Sequence, residues 1–150
     1  MRPLLPFCAC LLALISAIPA SAKPWVDYTP EKGFWQYTYV KVDVNYTDDY
    51  ITRLKSVWVP GREIDKKHGL IDDYRVMVNI NNGDSYANVM LCVHFVSFAG
   101  LDPSKQRDME IRAENDAALP PPQATAAFTD FSKYRTIVGS AVYVPVDFTK

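Results

Sequence analysis

The chain has 150 residues with 16 basic and 17 acidic side chains, a net charge of −1. That balance leaves no electrostatic footprint for nucleic acid or for an anionic membrane surface, and the length suits one domain with a real core. Three tryptophans, nine tyrosines and seven phenylalanines make it aromatic-rich, a composition at home on half-buried pleated surfaces and in protein interfaces.

Residues 1–22 read as an export signal. Met1-Arg2 is a short positive start, Leu4 to Ile18 an apolar run, and Ala20-Ser21-Ala22 a small-x-small cleavage site. The run is shorter than the roughly 20 apolar residues of a membrane anchor. The mature chain is therefore expected to begin at Lys23, to be periplasmic or secreted, and to have no membrane attachment after cleavage. Loss of Arg2 leaves 15 basic against 17 acidic side chains. Cys8 and Cys10 leave with the signal, so Cys92 alone remains and no internal disulfide is expected. Asn45-Tyr46-Thr47 fits an N-glycosylation acceptor.

Pro24, Pro30 and Gly33 make residues 23–33 an extended lead-in. Phe34 to Tyr46 reads as a long strand. Val40, Val42, Val44 and Tyr46 alternate with Lys41, Asp43 and Asn45, whereas Trp35, Tyr37 and Tyr39 hold the opposite phase. The flip predicts a bulge or a change of covered face near Tyr39-Val40. Thr47-Asp48-Asp49 reads as a turn, and Ile51 to Val59 as a second strand ended by Pro60-Gly61. Residues 60–73 then form a polar loop with Arg62, Glu63, Asp65, Lys66, Lys67 and His68, tacked down by Ile64, Leu70 and Ile71. A loop of that length is either functional or mobile.

The best local signal is Asn82-Gly83 between Tyr74–Ile80 and Ser85–Phe98, the pattern of a tight hairpin turn. The register it implies sets Val76 against Val89 and gathers Tyr74, Val76, Val78, Leu91 and Val93 on one face. Arg75, Met77, Met90 and Tyr86 then take the other. Arg107 to Glu114 alternates Met109, Ile111 and Ala113 with charges, which favours a strand, with a short helix as the alternative. Pro120-Pro121-Pro122 ends a break, Ala124 to Tyr134 suits a short helix, and Thr136 to Val144 a final strand. The expected fold is mainly β: a single antiparallel β-sandwich or curled sheet over 23–150 with one short helix, or else a sheet covered on one face by the 124–134 helix.

No catalytic constellation is evident. Cys92 and His94 lie two apart on one strand, hence on one face about 7 Å apart, too far for a nucleophile pair. Cys92 reads as a buried apolar residue. Asp48-Asp49 and Asp72-Asp73 read as local caps rather than a calcium site or an acid–base pair. There is no G-x-S-x-G and no glycine-rich phosphate loop, and neither a cofactor nor a metal is expected.

The run Val42-Asp43-Val44-Asn45-Tyr46-Thr47-Asp48-Asp49-Tyr50-Ile51 resembles the opening of a family of small exported Gram-negative proteins. Those proteins are encoded beside type VI secretion phospholipase effectors and are thought to act as immunity proteins. The resemblance implies a periplasmic protein that neutralises a protein partner, a toxin or effector. The contact residues expected from the chain itself are Trp58, Arg62, Lys66, Lys67 and His68, an aromatic and arginine anchor beside a charged loop. The alternatives are a small secreted hydrolase or carbohydrate-binding module, and a subunit of a cell-surface assembly joined by edge-strand pairing.

Overall fold

A computed structural model of the chain describes residues 22–81 and 86–148. Strand β1 (Tyr28–Pro30) is followed by β2 (Phe34–Val42), then helices α1 (Thr47–Val57) and α2 (Val59–Lys67). Strands β3 (Ile71–Val78) and β4 (Val89–Phe95) follow, then α3 (Lys105–Ala118), α4 (Pro121–Phe131), β5 (Arg135–Tyr143) and β6 (Val146–Phe148). Among the described residues, β3-β4-β2-β5 form a four-stranded sheet in that spatial order, with every neighbouring pair antiparallel. β1 and β6 pair as a small separate ribbon.

The helices cover one face of the main sheet. Tyr50 and Leu54 of α1 and Phe131 of α4 bury themselves against Val40, Val42, Val89 and Leu91, with Val57, Trp58, Val76 and Tyr134 packed around them. The Arg135 guanidinium donates to the Tyr50 hydroxyl at 2.8 Å and lies 4.7 Å from the Phe131 ring centre, tying β5 to both helices.

The protein is therefore α+β, and the mainly-β expectation is overturned. Two segments expected as strands are helices. Tyr50, Leu54, Val57 and Trp58 form one apolar stripe at helical spacing, while Asp48 and Asp49 sit in the first turn of α1, where the helix dipole favours acids. Pro60, expected to end a strand, occupies the first turn of α2, where its missing N–H costs nothing. The supposed loop 60–73 is thus α2, a short connection and the start of β3. Residues 107–114 lie inside α3, whose run of Lys, Gln, Arg, Glu and Ala favours helix over the charged strand expected. The helix expected at 124–134 and the strand at 136–144 are present as α4 and β5.

β2 keeps a single phase: Phe34, Val40 and Val42 are buried, and Trp35, Tyr37 and Tyr39 take the opposite face. No change of covered face occurs; the strand is apolar on both sides. The irregularity expected near Tyr39-Val40 exists, but the extra residue belongs to the neighbour. Tyr39 pairs with Gly139 and Val40 with Ile137, which leaves Val138 of β5 bulged.

β3 and β4 form the expected antiparallel pair with the expected faces, two residues out of register. Val76 pairs with Leu91, and Val78 with Val89. A shift of two preserves every face, so hydrophobic phase could not detect it. Beyond the paired residues, the Asn88 side chain ties the start of β4 to β2. Its side-chain oxygen accepts from Val42 N–H at 2.7 Å and its amide donates to Val42 C=O at 2.8 Å. The Asn82-Gly83 turn and the export segment 1–21 lie outside the described residues.

Candidate functional site

Among the described residues, no helix packs on the face of the main sheet away from α1 and α4. Across it run Asp73, Arg75 and Met77 of β3, Met90, Cys92 and His94 of β4, Trp35, Tyr37 and Tyr39 of β2, and Gly139, Ala141 and Tyr143 of β5. The ladders set Trp35 between His94 and Tyr143, Tyr37 between Cys92 and Ala141, and Tyr39 between Met90 and Gly139. On β3, Arg75 stands beside Cys92 and Met77 beside Met90.

These side chains brace one another. The Arg75 guanidinium lies 5.3 Å from the Trp35 ring centre and donates through Nε to Asp73 at 2.8 Å. Trp35 packs against His94 at 5.0 Å and against Tyr37 at 6.1 Å, and Tyr37 meets Tyr143 edge-on at 5.4 Å. Tyr86, leaving the hairpin, meets Tyr39 edge-on at 6.4 Å and donates its hydroxyl to the carbonyl of bulged Val138. A Cβ at Gly139 would stand 3.0 Å from that hydroxyl, which explains a residue without one there. Between these rings lies a shallow apolar trough of about 470 Å³, lined by Trp35, Tyr37, Tyr39, Met77, Met90 and Tyr143 together with Val144 and Pro145.

Burial pushes the Tyr37 phenol up, and the hydrogen bond with Tyr143 does the same for Tyr39, so both stay neutral at working pH. Cys92 is fully buried and burial raises its thiol pKa, the opposite of an activated nucleophile. His94 turns its Nδ1 to Asp72 at 2.5 Å, while Nε2 is buried without a partner on the Gly33 side. Cys92 and His94 thus form no nucleophile–base couple, and the two aspartate pairs have separate local tasks: Asp48 and Asp49 at the start of α1, Asp72 on His94, Asp73 on Arg75. Among the described residues no group of three or more His, Cys, Asp or Glu side chains is arranged to hold a metal ion, and no helix is long and apolar enough to cross a membrane.

The contact residues expected from sequence lie on the helical side. Trp58, at the α1–α2 junction, packs partly buried against the core, edge-on to Tyr74 at 5.4 Å. Arg62 lies 5.7 Å from the Trp58 ring centre and pairs with Asp65 at 2.8 Å. Lys67 and His68 converge on Glu114 of α3 at 2.8 and 3.1 Å, and those bonds hold its carboxyl below the ordinary carboxylate range. Lys66 is exposed in the last turn of α2, where a cation suits the helix dipole. Trp58, Lys67 and His68 thus hold α2 to the core and to α3, while Arg62 is engaged within α2 and over the Trp58 ring. The open face was missed, although its signal was present: Trp35, Tyr37 and Tyr39 alternate against Phe34, Val40 and Val42, so β2 had to present large apolar side chains on both faces.

A second concavity, polar and about 430 Å³, lies between α1 and the end of α4. Three of its charges answer one another. Asp130 pairs with Arg53 and, at 2.9 Å, with Lys133, and these bonds draw its carboxyl below the usual range.

No protein-family model and no curated protein sequence matches this chain. Solved structures resemble it at low identity. A NIPSNAP-family protein of unknown function from Agrobacterium tumefaciens is 13% identical, covering 83% of this chain and 97% of its own, with a TM-score of 0.50. A protein described as dimeric and ferredoxin-like, from an uncultured marine organism, is 10% identical over 80% of this chain and 91% of its own, with a TM-score of 0.45. HapK from Hahella chejuensis is 11% identical over 73% and 90%, with a TM-score of 0.43. The first likeness bears on the fold alone. It agrees with the strand order and the helix placement, which make the β2–β5 unit a ferredoxin-like β-α-β-β-α-β arrangement with each α a pair of helices.

Proposed function

We propose that the protein acts outside the cytosol by binding protein chains, and that the open face of the main sheet is its contact surface. The observation that carries this reading is that face: three rings of β2 flanked by Met77, Met90 and Tyr143, with no helix of the described residues over them. Aromatic side chains, methionine and arginine are enriched at the centres of interfaces. The rings here are already fixed by mutual packing, so a partner would order few rotamers. Neutralisation of a toxin or effector is the biological setting suggested by the resemblance of residues 42–51, and the Ala20-Ser21-Ala22 site supports export.

The test captures partners from a periplasmic extract on the Lys23–Lys150 chain and on its Met77→Glu variant, and maps cross-links in the complex. Wild type retains a partner cross-linked beside β2, β4 or β5; the variant keeps its circular dichroism spectrum and loses that partner. Equal capture by the variant would overturn the assignment of the face. Turnover of a glycan or ester by the purified chain would replace binding with the hydrolase alternative. Intact mass of exported protein should start at Lys23; a retained Met1 refutes the export reading.

A further inference from the structure

Cleavage after Ala20-Ser21-Ala22 would make Lys23 the first residue of the mature chain. The backbone nitrogen of that same residue donates to the Asp27 carboxylate at 2.5 Å. We propose that Asp27 is a capture site for the α-ammonium that signal cleavage creates, holding the new N-terminus against the β1–β6 ribbon. This rests on the export reading.

The backbone around Lys23 is built for such a contact. Its carbonyl accepts from the N–H groups of Val26 at 3.2 Å and Asp27 at 2.9 Å, so both ends of the residue are held by the turn that follows it. Trp25 N–H donates to the Tyr28 carbonyl at 2.7 Å, Pro24 bridges to Tyr28, and Tyr28 pairs with Phe148 of β6. Closing this turn puts Trp25 at φ +68°, a region that a bulky L-residue enters only under constraint. Among the described residues it is the one non-glycine with positive φ. Its ring is 71% exposed, so packing does not impose the conformation. The hydrogen bonds do, and the result is a chain that folds back and sets the Lys23 nitrogen on a carboxylate four residues ahead.

Cleavage changes what that carboxylate meets. In the longer chain the Lys23 nitrogen is an uncharged amide with one hydrogen. Hydrolysis breaks the Ala22–Lys23 C–N bond and adds one water: Ala22 keeps the hydroxyl oxygen as a carboxylate, and the Lys23 nitrogen takes both protons. A free α-amine is largely protonated at neutral pH, so a neutral donor becomes a cation with three hydrogens. The same contact turns into a charge-assisted bond, about twice as strong as a neutral one. Asp27 is available for it: among the described residues it pairs with no cationic side chain. Capture of an N-terminal amine is a recurrent recognition mode. Exposed ion pairs add little to global stability, so the effect is local: it orders the start of the chain and shields its amine.

The test compares three chains released from a fusion without added residues: Lys23–Lys150, its Asp27→Asn variant, and Ala22–Lys150, in which position 23 is an amide again. Each is treated with an acetylating ester at pH 7.5, and α-acetylation is read by fragmentation of the N-terminal peptide. An amine reacts only when unprotonated and a neighbouring carboxylate favours the charged form, so Lys23–Lys150 should react at least about threefold more slowly than the other two. Hydrogen exchange at the Val26 and Asp27 amides, which donate to the Lys23 carbonyl, should be slowest in the same chain. Circular dichroism checks that all three are folded. Equal acetylation rates in the three chains overturn the capture site, as does slow acetylation that survives Asp27→Asn. Intact mass separates the readings. An exported protein that starts anywhere but Lys23 fails the export reading and this inference together; a Lys23 start with equal rates fails the capture site alone.

Discussion

Replacing Trp58 with alanine distinguishes the two candidate surfaces most directly. Trp58 packs against the core beside Val57 and Val76, meets Tyr74 edge-on, and carries Arg62 over its ring. A tryptophan buries about 150–250 Å² at full burial; taking about half of that at roughly 25 cal/mol per Å², with the ring and cation contacts added, gives about 3 kcal/mol. Domains of this size have about 5–15 kcal/mol in total, so the loss is large. It lowers the thermal midpoint by roughly 10 °C, followed by circular dichroism at 222 nm. Association measured well below the transition stays at the wild-type value, because Trp58 lies on the helical side. Arg62→Ala refines the test. Burial raises the Asp65 carboxyl, and Arg62 opposes that shift. A group whose folded pKa is raised loses stability as pH rises through it, so Arg62→Ala costs more at neutral pH than in acid. If Trp58→Ala keeps its midpoint within about 2 °C and abolishes association, the assignment of Trp58 to the core is wrong.

Asn88→Ala strips both backbone groups of buried Val42 of their partners, at a cost of about 2 kcal/mol read from urea unfolding; a change below about 0.5 kcal/mol would contradict the role given to that side chain. Gly33→Ala is expected to reduce soluble yield or stability severely, since φ is +78° and a Cβ would collide with the Phe95 carbonyl oxygen. A variant with the wild-type midpoint would refute that close approach. Asp130 has a depressed carboxyl, so its stabilising contribution is present above the ordinary aspartate pKa of about 3.9 and fades as pH falls through its lower folded value. Asp130→Asn should therefore melt below wild type at pH 6, with the gap narrowing as pH falls below the ordinary aspartate range; a constant gap would show that ionisation is not involved.

Local pattern was legible wherever one period dominated. β5, α4 and the faces of the β3–β4 pair follow from alternation or from a three-residue apolar spacing. The first half of the chain was harder for a specific reason. Ile51 to Val59 contains enough β-branched and aromatic residues to satisfy strand propensity, and its helical stripe of Tyr50, Leu54, Val57 and Trp58 begins before that segment and runs to the edge of the next. Pro60-Gly61 looks like punctuation in either state, and only its place relative to the start of α2 tells which. The charged residues of α2 and α3 looked like a solvated loop and strand because their partners, Lys67 and His68 with Glu114, are far apart in sequence.

What the sequence determines alone is what depends on near neighbours: the apolar faces of the β3–β4 pair, the alternation of β5, the short apolar spacing of α4 and the export-signal pattern. The pairing of β2 with both β4 and β5, the two-residue register of the hairpin, the bulge at Val138 and the emptiness of one sheet face are decided by contacts across the fold. A register shift of two changes no side-chain face, and whether a face is covered depends on which side of the sheet both helical connections cross. Neither quantity is written in any local window, and so the aromatic surface emerged only when the sheet was assembled.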